Sequence, residues 1–239
     1  MWRRACAKAV LTSTSQEIAE RTQLVKARVS QAAARASRAG NTVLMVVASK
    51  TQNAESVRAA YQAGARDFGE NYVQEGAAKR SELADLDDLR WHLIGHLQTN
   101  KARLASESFV IIHTVDSARI AAAIRRAAGR NDFEVLIEVN TGDEASKSGV
   151  RPANLESLLA AIRDDVRVKG LMAVPPAGVT NQSRRYFAQL RELRDRTAAQ
   201  TGLSLSELSM GMSDDFEVAI EEGATMVRIG RAIFGERSR

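Results

Sequence analysis

The chain has 239 residues, 44% hydrophobic and 26% charged, the balance of a globular protein able to bury a sizeable core and unlike that of a disordered chain. Its formal charge is +5, but the basic residues are scattered among acidic ones and aromatics are only 5%, so neither a basic stripe nor a base-stacking platform for specific nucleic-acid binding stands out. One cysteine (Cys6) closes no intramolecular disulfide, His92, His96 and His113 lack a matching set of thiol or acidic ligands, and no apolar run reaches membrane-span length; these exclude a disulfide scaffold, a metal centre and a spanning helix, and point to the cytoplasm.

Residues 1–13 are basic and acid-free, with Lys8 interrupting a short apolar run, and read as a flexible tail rather than a secretory signal; a mitochondrial-type leader is the alternative. Thr14 and Glu17 have capping-box spacing and open a long helix with Ile18, Val25, Val29, Ala32 and Ala36 on one face, ended by Gly40. A strand follows at Thr42–Ser49, and further strands are expected near Asp67–Glu70, Trp91–Ile94, Phe109–Val115, Phe133–Val139, Val166–Val174, Ser204–Ser209 and Met226–Ile229. Helical stretches such as "AESVRAAYQAG", "SARIAAAIRRAAG" and "DDFEVAIEEG" separate them. Several strands, "VLMVVA" and "FVIIHTV" among them, are apolar on both faces, as a parallel sheet covered by helices requires. Eight such units predict an α/β fold, a single (β/α)8 TIM barrel over residues 14–239 with an extra N-terminal helix; an open doubly wound sheet is the alternative.

In such a barrel the active face lies at the C-terminal strand ends, where the unusual residues fall. Lys50 ends the first strand. "GENY" (Gly69–Tyr72) follows the second, "GHLQTNK" the third, "NTGDEASKSG" (Asn140–Gly149) the fifth and "SMGMSDD" (Ser209–Asp215) the seventh, while "RIGRAIFG" (Arg228–Gly235) spans the end of the eighth. A lysine ending an apolar strand ordinarily snorkels to water, and at a pKa of ~10.4 it is less than ~0.1% neutral at pH 7. Burial and cationic neighbours raise the neutral fraction, and such an amine captures an aldehyde. The glycine-bearing loops after strands seven and eight present backbone N–H groups where this barrel usually cradles phosphate. Arg228, between Val227 and Ile229, needs a partner if it points inward. Lysine, cradle and arginine together suggest pyridoxal 5′-phosphate (PLP); a cofactor-free phosphosugar aldolase would fit the first two equally well.

The segments "VASKT", "FGENYVQE", "WHLIGHLQTNK", "HTVDS", "VNTGDEASKSG", "GLMAVPP" and "LSMGMSDDFEVAIEEGATMVRIGRAIFGER" run in this order from about Ala48 to Arg237. On these the chain resembles the pyridoxal phosphate homeostasis protein family, relatives of the N-terminal barrel of alanine racemase. The resemblance implies a barrel of PLP fold type III with a Schiff base on Lys50, Arg228 facing the pyridine nitrogen, Asn71 beside the ring, and Ser209, Ser213 and the backbone of Gly230 and Arg231 on the phosphate. It implies a monomeric carrier that holds PLP, balances vitamin B6 and supplies PLP-dependent apo-enzymes without turnover of its own; a low-activity amino-acid racemase is the alternative. The second domain that brings a tyrosine to the alanine racemase site is expected to be missing, and Tyr72 is expected to pack at its helix start. Lys147 matches a lysine in the family's "SKSG" loop and is expected to be an exposed loop residue. The chain departs from the family at Gln52-Asn53, where Lys-Pro is frequent, and at Arg231, where a small hydroxyl residue can bind phosphate.

Overall fold

The computed structural model describes residues 14–142, 148–176 and 182–236, so the tail expected at 1–13 and Lys147 lie outside the described residues. Helix α1 (Ser15–Arg35) begins on Thr14, whose side chain accepts the Glu17 N–H while the Glu17 carboxylate takes the Thr14 N–H, the reciprocal cap expected from the spacing. The helix ends earlier than Gly40. Ser37 takes a left-handed φ of 55°, its N–H bonds Ala34 O, and the Arg38 N–H reaches back to Ala33 O, a pairing that satisfies the last carbonyls. Gly40 instead opens a short 3-10 turn.

Eight strands then alternate with helices: β1 (Leu44–Ala48), α2 (Ala54–Gln62), β2 (Asp67–Glu70), α3 (Val73–Glu82), β3 (Arg90–Leu93), α4 (Ala102–Ser108), β4 (Ile111–Val115), α5 (Ala118–Ala128) and β5 (Glu134–Glu138). The second half continues with α6 (Leu155–Ile162), β6 (Arg167–Met172), α7 (Ser183–Thr201), β7 (Glu207–Ser209), α8 (Phe216–Glu221), β8 (Met226–Ile229) and the short α9 (Arg231–Phe234). All neighbouring strands pair in parallel and β8 returns to β1, closing the barrel. The outward strand residues Val47, Phe68, Val135, Ile137, Leu171, Leu208, Val227 and Ile229 form one core with the buried faces of the helices. Each large side chain so buried contributes roughly 1.5–3 kcal/mol. Helix α1 packs outside this ring against α2, α8 and α9 through Ile18, Val25, Val29, Ala32 and Ala33. Among the described residues no helix is long and apolar enough to cross a membrane.

Inward positions recur every second residue along a strand. A separate cluster of Ile111, Leu136, Met172 and Met226, with Leu44 against it, fills part of the interior. The remaining interior is polar: Asp67, His92, His113, Ser209 and Arg228 are all buried. The register sets Val46 of β1 between Asp67 of β2 and Arg228 of β8, so the β1 end that leads into Lys50 lies beside the strand carrying the arginine.

Candidate functional site

Lys50 lies two residues past the end of β1 in a turn closed by the Gln52 N–H on Ser49 O (3.0 Å). Thr51 adopts a φ of +68°, uncommon for a residue with a β-carbon, so the turn needs support. The support comes from α3 and the end of β2. Buried Lys79 donates to Ser49 O (2.7 Å), Glu70 Oε1 (2.8 Å) and Glu75 Oε1 (2.7 Å), spending its three ammonium protons. Glu70 accepts the Ser49 hydroxyl (2.7 Å), and Glu75 accepts the Thr51 N–H (2.6 Å). Residues on both sides of Lys50 are therefore held by one buried ion cluster. Burial pushes the Glu70 carboxyl up, against Lys79 and Ser49 pulling it down. The departure at Gln52-Asn53 finds half of its explanation here: Asn53 caps α2 by accepting the Ser56 N–H (2.8 Å).

Lys50 lines an open cleft of about 430 Å³ together with Ala48, Gln52, Gly230, Arg231 and Phe234. A β-carbon on Gly230 would stand 2.9 Å from Ala48 O, so only glycine lets the turn after β8 approach the end of β1 this closely. Ser213 accepts the Ala232 N–H (3.2 Å), tying the loop after β7 to α9. The Arg231 guanidinium turns to Asp214 and Glu236, which leaves its backbone as the part nearest the glycine turn. Asn71, just past β2, is half-buried, and its backbone is pressed against Gly95, where a β-carbon would come within 2.2 Å of Asn71 O. Tyr72 does not pack at its helix start: it is 65% exposed.

Arg228 points into the barrel. Its Nη1 donates to Ser209 O (2.7 Å) and Ser209 Oγ (2.6 Å), and its Nη2 to Ala173 O (3.0 Å). Its Nε–H and second Nη2–H have no hydrogen-bond partner among the described residues. Burial lowers its pKa to about 10, opposed by Glu138 and Asp215, so it stays a cation at neutral pH. The fully buried Ser209 hydroxyl is engaged by Arg228 and His113. The structure thus gathers Lys50, Gly230 and Arg231 around one cleft, with Arg228 on the neighbouring strand and Ser209 hydrogen-bonded to it.

Residue-type reasoning missed what lies behind Arg228. Ser209 Oγ is 2.9 Å from His113 Nδ1, His113 Nε2 is 3.0 Å from His92 Nδ1, and His92 Nε2 is 3.0 Å from Asp67 Oδ1, which Arg90 holds through both carboxylate oxygens. The signal in the sequence is the inward parity of these histidines in otherwise apolar strands. Burial holds His113 well below the ordinary imidazole value, with neighbouring His92 and Arg228 adding to it. An unfolded imidazole titrates near about 6.5, so His113 contributes stability that is complete above that pH and lost as the pH falls below it. Burial alone would raise the Asp67 carboxyl, but hydrogen bonds from His92 and Arg90 hold it below its usual value. Its contribution is present above about pH 4 and lost as the pH falls through the folded value. His113→Gln removes the imidazole titration, so its urea-unfolding free energy is expected to gain on the wild type between about pH 7 and pH 5, by at most ~1.4 kcal/mol per pH unit. A constant difference across that range would refute the assignment.

The family model for the alanine racemase N-terminal domain matches residues 21–238. A pyridoxal phosphate homeostasis protein of Aquifex aeolicus is 46% identical over 223 residues, covering 91% of this chain and 97% of the relative. One of Pseudomonas aeruginosa is 47% identical over 225 residues, covering 92% and 96%. Among solved structures, PipY of Synechococcus elongatus with PLP bound superposes with a TM-score of 0.79 at 40% identity, covering 91% of this chain and 100% of that one.

Proposed function

This chain belongs to the pyridoxal phosphate homeostasis protein family, built on the alanine racemase N-terminal domain, and from that premise we propose that it binds PLP as a Schiff base on Lys50 and balances the intracellular vitamin B6 pool by holding and releasing it. The observation that carries the reading is the shared cleft: Lys50 and the Gly230–Arg231 turn line one opening of about 430 Å³, with the cation of Arg228 on the adjoining strand. These residues fit the group. Gly230 leaves the turn without a β-carbon where a phosphate would lie, Ser213 braces that turn, and Arg228 keeps two N–H groups for a ring nitrogen. When bound, PLP supplies an aldehyde for reversible covalent capture and a ring that withdraws electrons. Arg228 has no proton to give at neutral pH, so the ring nitrogen would stay unprotonated and the site would favour holding over carbanion chemistry. The relatives matched over nearly their whole length are named for homeostasis, which supports a carrier that passes PLP to apo-enzymes.

Borohydride reduction followed by peptide mapping tests the reading. The pyridoxyl mass is expected on Lys50, and Lys50→Ala is expected to lose the Schiff-base absorption band entirely. A pyridoxyl group elsewhere, or a retained band, would sink the proposal. A chiral assay separates carrier from racemase: Lys50-dependent turnover at ordinary enzymatic rates of roughly 1–1000 per second would replace the carrier with a racemase.

A further inference from the structure

Between Arg228 at the site and Arg90 on β3 runs an unbroken line of hydrogen bonds, Arg228–Ser209–His113–His92–Asp67–Arg90, crossing the barrel interior from β8 through β7 to β4, β3 and β2. Its middle members are completely or almost completely buried: Ser209 and His113 at 0% exposure, His92 and Asp67 at 3%. Arg90, at the far end, has a side chain 52% exposed. A line of buried polar groups costs stability unless every member is satisfied, so its proton directions can be worked out by accounting.

Start at Asp67, whose carboxylate only accepts. His92 must present Nε2–H to it. In a neutral His92, Nδ1 is then an acceptor, so His113 donates from Nε2–H. His113 Nδ1 is in turn an acceptor, and the Ser209 hydroxyl donates to it. That leaves the Ser209 oxygen lone pairs for Arg228 Nη1–H. Every atom on the line has a partner, and both imidazoles are neutral. The opposite direction requires a doubly protonated His92 and turns His113 Nδ1–H onto Ser209, which leaves the hydroxyl proton with no acceptor on the line.

We propose that Ser209, His113 and His92 are positioning residues: they form a one-way relay, anchored on the Asp67–Arg90 pair, that holds the guanidinium of Arg228 in one orientation and so keeps its Nε–H and one Nη2–H turned to the ligand. The part of this that concerns PLP rests on the function proposed above; the orientation of Arg228 does not. A relay in this direction needs one donor and one acceptor at position 113. Glutamine supplies both through its amide, and leucine supplies neither. A role in packing alone would be served by leucine.

Two readouts test it on the full chain. In the PLP-free protein, nitrogen-15 NMR of the arginine side chains is expected to show slowly rotating, exchange-protected Arg228 Nη1 protons, the ones bonded to Ser209, in the wild type and in His113→Gln, and their loss in His113→Leu. Absorbance titration with PLP is expected to show about tenfold weaker binding for His113→Leu and binding within about threefold of wild type for His113→Gln. Ser209→Ala, which cuts the relay without removing a ring, replaces His113→Leu with the same two readouts if the latter fails to fold. A folded His113→Leu that keeps the protected Arg228 signal and wild-type affinity overturns the relay. A wild type that shows the protected signal yet takes no PLP on Lys50 overturns the proposed function and leaves the relay standing.

Discussion

Lys79→Met is expected to lower the free energy of unfolding by about 3–5 kcal/mol, the range for removing one partner of a buried ion pair. Methionine matches the volume of lysine, so the loss is one of charge and hydrogen bonds rather than packing. Glu70, with a side chain 0% exposed, loses its cation and keeps only the Ser49 hydroxyl on Oε1, while its Oε2 already lacks a partner. The pH dependence carries a definite sign. A carboxyl whose folded pKa is raised contributes stability below its unfolded value and loses it as the pH rises through the folded one. Burial already raises Glu70, and removing Lys79 removes the larger of the two groups that pull it down, leaving only Ser49. The deficit of Lys79→Met should therefore be larger at about pH 7 than at about pH 5, because a lower pH favours the neutral Glu70 carboxyl. Adding Glu70→Gln should recover part of the loss, because the stranded charge is gone. Urea unfolding of the two variants at both pH values checks this. A single variant within about 1 kcal/mol of wild type would mean that the cluster does not brace the turn bearing Lys50.

Lys79 also marks where local sequence stops being informative. In "EGAAKRSEL" it reads as one more charge on a solvated helix face. Its burial follows from where α3 docks: its amine reaches Ser49, 30 residues back, and Glu70, nine residues back, contacts that no local period encodes. His113 and Ser209 are 96 residues apart and adjacent in the barrel, so the relay was invisible for the same reason. What was legible is what local patterning controls. Apolar runs place all eight strands, the Thr14–Glu17 spacing places the start of α1, and an arginine inside an apolar strand does point inward. The resemblance alone puts Ser209 on the phosphate; its inward parity in β7 sets its hydroxyl under Arg228. Tyr72 was assigned from the helix it precedes, but at the N-cap its ring projects into solvent. Glycine favours helix ends, yet Ser37 rather than Gly40 takes the left-handed position, with Arg38 bonded to Ile220 O and Ala224 O beyond it.

Arg228→Met is expected to separate stability from binding. The pKa of Arg228 falls from the ordinary arginine value to about 10 because burial opposes the charged form. Linkage turns that shift into a cost of about 3 kcal/mol for keeping the cation folded at neutral pH, an order-of-magnitude figure. The sign follows from the direction: a cation with a depressed pKa destabilises the fold at every pH below its folded value, and the penalty fades only as the pH rises past it. Methionine removes the charge and nearly fills the space. What it strands is modest. Ser209 O still accepts the Ala173 N–H and Ser209 Oγ still pairs with His113, so Ala173 O alone loses the bond from Nη2. An unpaired buried carbonyl costs roughly 1–3 kcal/mol, which comes close to cancelling the gain. The variant should therefore unfold within about 1 kcal/mol of wild type. Its affinity for PLP should fall by tenfold or more, since hydrogen bonds from a charged donor are worth about 1.5–3 kcal/mol. Paired urea unfolding and PLP titration decide the point. Large destabilisation would make Arg228 a structural keystone, whereas unchanged affinity would take it out of the site. The expected split places a buried charge that adds almost nothing to the fold at the residue proposed to face the ring nitrogen, as happens where a binding site keeps a charge that packing alone would have replaced.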